Sequence, residues 1–196
     1  MSSLVLNGDT SGAITISAPS VAGTNTLTLP ANTGTVITTG SSGQVIPKAA
    51  LPTGSVLQVV NASSSTVDTT SATSATATSL SLSITPTSSS SKIFLLSTAT
   101  VGMSTANVGR FWFARNGTVI NEGGQGWGAS YYISNSSYAN SGYPWSETWI
   151  DSPATTSAIT YAVYFAVDQG GPVYFNSRGT SSNAGRSVIV AMEIAA

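Results

Sequence analysis

Apolar and polar residues alternate along this chain with a period of two, not 3.6. The pattern is clearest where Ile159, Tyr161, Val163, Phe165 and Val167 alternate with Ala158, Thr160, Ala162, Tyr164 and Ala166. It recurs where Val188, Val190, Met192 and Ile194 alternate with Ile189, Ala191 and Glu193. A period of two sends successive side chains to opposite faces of a strand. Leu80, Leu82 and Ile84 alternate with Ser ahead of Pro86, and 92–101 reads as a longer, more buried strand. Phe111 and Phe113 mark a strand over 109–115, and Asn116-Gly117 is the preferred pair for a two-residue hairpin turn returning over 118–121. With 55–60, 145–151 and 172–176 the total is about nine strands between 55 and 196 and no segment of helical period. This predicts an all-β fold, an antiparallel β-sandwich of jelly-roll type. The Ala/Ser/Thr tract 62–78 is predicted as loop or edge strand, because its Thr content opposes helix.

The first fifty residues differ in texture. Short apolar pieces, Leu4-Val5-Leu6, Ile14 and Ile16, Leu27 and Leu29, and Val36-Ile37, are separated by turn residues about every ten positions, and no aromatic precedes Phe94. Strands so short, with so little to bury, do not fold alone. The segment needs neighbouring copies of an oligomer or a docking surface on another protein. Pro47 and Pro52 fix an extended path between the two textures. The organisation expected is therefore an extended β-rich attachment or stem segment at 1–46, a Pro-rich linker at 47–54 and a β-sandwich head at 55–196, with Leu4, Leu6, Ile14, Ile16, Leu27 and Leu29 as the attachment residues.

Composition narrows the function classes. Of 196 residues, 34 are Ser and 27 Thr, while six Lys and Arg oppose seven Asp and Glu for a net charge of −1. Six dispersed basic residues do not neutralise a run of phosphates, so nucleic acid is not an expected partner. Cys and His are both absent, which excludes the usual zinc sites, disulfides, Cys nucleophiles and a Ser-His-Asp relay. There is no apolar run of the ~20 residues a membrane helix needs and no secretory leader pattern, so synthesis in the cytoplasm without membrane insertion is expected. Disorder is not expected, since 41% of residues are hydrophobic and only 7% charged. Solitary sheet proteins guard their edges with Lys and Pro. This chain has only Lys48 and Lys92, and edges covered by copies of itself are expected.

Tests for catalysis find little. Ser89-Ser90-Ser91-Lys92 matches S-x-x-K, but in a Pro-headed turn rather than the helix on which that pair meets. Glu147 and Asp151 share a face of a strand at roughly 13 Å separation, whereas a glycosidase pair needs about 5 to 9.5 Å. No enzyme activity and no cofactor or metal are expected. The segment 123–145 is different. It sets Trp127, Tyr131, Tyr132, Tyr138, Tyr143 and Trp145 in a Gly/Ser/Asn background, the mixture that binding loops use because rigid rings supply contact area at low entropic cost. These six are the candidate receptor or glycan contacts. The alternative for each ring is that it fills the core or a subunit interface.

Several landmarks in order resemble a known family. Gly54-Ser55-Val56-Leu57-Gln58-Val59-Val60, Ser83-Ile84-Thr85-Pro86 followed by Ser90-Ser91-Lys92-Ile93, and Ala114-Arg115-Asn116-Gly117-Thr118 are similar to the head domain of bacteriophage fibre-like virion proteins. Asp151-Ser152-Pro153 with Thr160-Tyr161-Ala162-Val163-Tyr164, and Ala191-Met192-Glu193-Ile194, fit the same pattern. Gly12-Ala13-Ile14-Thr15-Ile16 and Leu27-Thr28-Leu29-Pro30-Ala31-Asn32-Thr33-Gly34 resemble the stem that precedes such heads. The resemblance implies a non-enzymatic homotrimer located in the virion, joined through its N-terminal segment to another virion protein. Its leading role would be a short tail fibre or adhesin contacting a host surface glycan. The alternative is a capsid decoration protein that reinforces or projects from the shell. A glycan-degrading depolymerase is a third possibility, against which the carboxylate spacing counts.

Overall fold

The computed structural model describes residues 3–7, 9–17, 21, 23–24, 51–105, 107–123, 129–133, 140–168, 171–178 and 185–196. The chain divides into two units, Met1–Val45 and Ile46–Ala196. In the first, β1 (Ser3–Asn7) and β2 (Ala13–Ser17) form an antiparallel hairpin with Leu4 opposite Ile16 and Leu6 opposite Ile14. Leu4, Val5, Leu6 and Ile16 are all at least half exposed; two strands of five residues supply no second layer of their own. Leu27, Leu29 and Val36-Ile37 lie outside the described residues.

The second unit is all-β. Its strands are β3 (Val56–Ser64), β4 (Asp68–Thr70), β5 (Thr76–Ile84), β6 (Lys92–Met103), β7 (Asn107–Arg115), β8 (Thr118–Val119), β9 (Ala129–Ile133), β10 (Gly142–Asp151), β11 (Ile159–Val167), β12 (Val173–Phe175) and β13 (Ser187–Ile194). One sheet runs β3-β13-β6 with β10 on the other side of β6, and β12 and β4 continue it; the other runs β5-β11-β7 with β8 and β9 along the far edge of β7. All pairings are antiparallel. Three of the columns are broken strands. β12 and β13 lie end to end against β6, at 103–101 and 98–92, and β4 and β3 continue along them in the same way. β8 and β9 likewise share the edge of β7, at 115–114 and 111–107. Counted by column, the orders are β3/β4, β12/β13, β6, β10 and β5, β11, β7, β8/β9, two antiparallel sheets in keeping with the all-β sandwich expected from the alternation.

The core lies between these sheets. Leu80, Leu82 and Ile84 on β5 and Ile159, Tyr161, Val163 and Phe165 on β11 meet Ile93, Leu95 and Val101 on β6 and Ile189 and Ala191 on β13, all buried. At one end an aromatic cluster spans the gap. Phe111 stands 5.3 Å from Trp145, 6.4 Å from Phe175 and 6.5 Å from Phe165, measured between ring centroids. Rings of this size contribute the largest apolar burial available to a chain rich in Ser and Thr.

The expectation of nine strands missed β4 and β9. β4 is three residues of Asp and Thr paired only to β12, which makes it the edge alternative foreseen for 62–78. β9 carries Ala-Ser-Tyr-Tyr-Ile, whose aromatic content reads equally as a binding loop. The hairpin turn is as predicted, with Asn116 and Gly117 at φ +48° and +86°.

Candidate functional site

The aromatic segment joins the two free edges on one side of the sandwich. It leaves β7 through β8, runs back along β7 as β9 and returns as β10, the edge of the other sheet. Its six aromatics separate by position. Trp145 is only 6% exposed and sits in the core against Phe111 and Phe175. Tyr143 is half-buried and packs against the same core. Trp145 is thus a core residue, and Tyr143 keeps part of its surface exposed. Tyr131 and Tyr132 belong to β9, paired with Gly109 and Val108. Trp127 and Tyr138 lie outside the described residues. An aromatic not foreseen as a contact, Trp149 on β10, is 39% exposed, and Ile150 beside it is 59% exposed. Strand alternation would have placed Trp149 inside with Trp145.

Between Trp145 and Asp151 the inward face of β10 carries two carboxylates, each used as a bridge between the sheets. Asp151 accepts two hydrogen bonds from Arg115 Nη1, at 3.0 and 2.9 Å, and one from the Tyr161 hydroxyl at 2.6 Å. Burial, reinforced by that carboxylate, pushes the Tyr161 hydroxyl well above its ordinary value and keeps it a donor. Glu147 accepts from Asn121 Nδ2 at 2.6 Å, and Asn121 Oδ1 accepts from Phe113 N–H at 2.8 Å. Asn121 thus stands where the ladder between β8 and β9 is interrupted and supplies by side chain the acceptor that a paired strand would give. Burial pushes Glu147 up from 4.5 to about 7, outweighing the Asn121 hydrogen bond, and among the described residues its Oε2 has no partner.

A third carboxylate lies on the same row as Asp151, since Glu193 on β13 and Asp151 on β10 both stand opposite Ile93 on β6. Glu193 is inaccessible and accepts from Gln58 Nε2 at 2.5 Å, from Thr87 N–H at 2.6 Å and from the Thr87 hydroxyl at 2.7 Å. Burial alone would raise this carboxyl, but the hydrogen bonds from Thr87 and Gln58 outweigh it and hold it below the usual carboxylate value. Ser89 is exposed in the turn before β6, as is Lys92 at its start. Among the described residues, no three of His, Cys, Asp and Glu come together as a metal site requires.

The acidic groups inside the sandwich are thus tied to the opposite sheet or to turns, and Glu147 and Asp151 are separately engaged. The arrangement cross-links the two sheets. No protein-family model matches the chain, and no curated protein is similar to it.

Proposed function

We propose that this chain is a non-enzymatic bacteriophage structural protein, a homotrimeric short fibre or adhesin whose jelly-roll head is displayed for attachment to a host surface glycan. The observation that carries the reading is the way the Gly/Ser/Tyr/Trp segment leaves and rejoins rigid strands, β8, β9 and β10, on one side of a sandwich whose carboxylates are taken up by structural bridges. Rigid presentation of aromatics in a small-residue background suits recognition of sugar faces. The N-terminal hairpin, with Leu4, Leu6 and Ile16 uncovered, supplies the attachment segment to another virion protein. The order of landmarks along the chain supports the placement in a virion.

The capsid decoration reading is favoured by one observation: Trp145 is core and Tyr143 half-buried, which leaves fewer rings for a ligand. Virions carrying Trp127→Ala, Tyr131→Ala and Tyr138→Ala together separate the two. The adhesin reading expects normal particle assembly and a tenfold or greater fall in adsorption rate. Unchanged adsorption, with loss of heat or osmotic resistance in particles lacking the chain, would establish decoration instead.

A further inference from the structure

Glu193 occupies a place where the alternation of β13 calls for an apolar side chain. Ile189 and Ala191 precede it on the same inward face, and all three are fully buried. A buried charge in such a row is costly unless donors meet it. The donors here are a nucleophile and an acyl donor from two other elements. One Glu193 oxygen, Oε1, accepts the Thr87 hydroxyl at 2.7 Å, and the other, Oε2, accepts the Gln58 side-chain amide at 2.5 Å. Gln58 stands directly opposite Glu193 on β3, at a bulge that sets Val56 opposite Ile194 and so re-aims the strand. Its Nε2 also donates to Thr85 O at 2.7 Å, two residues from Thr87, and the Thr87 N–H is fixed on the same Oε1 at 2.6 Å. Hydroxyl and carboxamide are thus gathered on the two oxygens of one carboxylate.

We infer that Thr87 and Gln58 join in an intramolecular ester cross-link, with Glu193 carrying the proton between them. Thr87 Oγ1 attacks Cδ of Gln58 while its proton passes to the Glu193 carboxylate. The tetrahedral intermediate then collapses with rupture of the Cδ–Nε2 bond, and Glu193 returns the proton to the nitrogen, which leaves as ammonia. One C–O bond forms, one C–N bond breaks, Glu193 ends as it began, and the step needs no oxidant or other co-reactant. The hydrogen-bonded arrangement is that of the reactants. Both reacting groups are already bound to the base, so the attack is unimolecular. Glu193 is held ionised by its donors and is free to accept a proton. Its inaccessibility keeps water from taking the acyl group in place of Thr87. The bond also answers a structural need. The chain has no cysteine for a disulfide, and β3, the first strand of the head, pairs among the described residues with β13 alone. An ester at Gln58 fastens that strand to the turn ahead of β6. The inference is independent of the proposed function, since it concerns bonding inside the head, whether adhesin or decoration.

The intact mass of the folded, full-length chain tests this. It should fall below the sequence mass by one ammonia, about 17 Da, and the full sequence mass would overturn the cross-link. Ring closure at an Asn-Gly pair such as Asn116-Gly117 releases the same ammonia, so trypsin is used to locate the loss. Cleavage after Lys48 and Lys92 releases the peptide 49–92, which contains both Gln58 and Thr87 and no Asn-Gly pair. The deficit should lie in that peptide, and hydroxylamine should open it to leave a hydroxamate at position 58. A deficit confined to other peptides, or one in 49–92 that resists hydroxylamine, overturns the ester. Variants then assign the roles. Thr87→Val should have the full mass and Thr87→Ser should regain the deficit, whereas a deficit kept in Thr87→Val would refute the nucleophile. Glu193→Gln should lose ammonia about a hundredfold more slowly than the native chain, and an unchanged rate would refute the proton carrier. If Glu193→Gln does not fold, the native mass and the 49–92 peptide still decide the cross-link.

Discussion

Glu147 and Glu193 sit in the same sandwich with carboxyls displaced in opposite directions, and the difference lies in donors. Glu193 has its charge met by Gln58 and Thr87, whereas among the described residues Glu147 has Asn121 on one oxygen and no partner on the other. For Glu147 the folded value, about 7, exceeds the unfolded value of 4.5, so the folded state binds more protons between them. Its contribution is present in full below pH 4.5, falls as pH rises to 7 and is flat above. Glu147→Gln copies the protonated form. Urea unfolding should therefore show the variant more stable than native at pH 8 and equal to it near pH 4.5. For Glu193 the sign is reversed. Its folded value is depressed, so its contribution is present above the unfolded value and is lost as pH falls through the folded one. Glu193→Gln should cost about 3 kcal/mol near neutral pH, since hydrogen bonds to charged groups contribute about 1.5–3 kcal/mol each, and should flatten the acid limb of the stability curve.

Broken strands are the distinctive feature at the level of elements. Where β12 gives way to β13, Asn176 takes φ +62° and its buried Nδ2 donates to Ser64 O, Thr66 O and Ser187 Oγ, while its carbonyl accepts from Gly185 N–H. One side chain thus ties both ends of the excursion to the passage between β3 and β4. Asn176→Ala should destabilise the fold by about 3 kcal/mol in chemical denaturation, from lost buried hydrogen bonds and left-handed strain. Asn176→Gly, free of that strain, should lose about 1 kcal/mol less. These breaks also explain what the sequence disclosed and what it withheld. The long strands β6, β11 and β13 and the Asn116-Gly117 turn announce themselves by alternation and by residues able to take positive φ. β4 and β9 do not, because a three-residue strand has no period to detect and aromatics suit strands and binding loops alike. The burial of Trp145 was hidden for a related reason: its segment's composition suggests display, while its register opposite Ala99 on β6 sends it inward. Glu147 and Asp151 were visible as a pair, but their separate partners, Asn121 after β8 and Arg115 on β7, are distant in sequence and only the tertiary fold brings them near.

At the scale of the whole molecule, scarce charge and abundant Ser and Thr make sense only with the two sheet faces considered apart. On one sheet the outward positions include Ser79, Ser81, Ser83 and Thr160 beside Arg110, Trp112 and Tyr164, and on the other Val59, Met192, Phe94 and Ile150 line up. In the proposed homotrimer, scarce surface charge is tolerable because the copies share part of their surface. The sedimentation mass of the native full-length chain tests this account most directly. A homotrimer of 19.8 kDa chains predicts about 59 kDa (3 × 19.8). A folded monomer at 19.8 kDa across the micromolar range would contradict it.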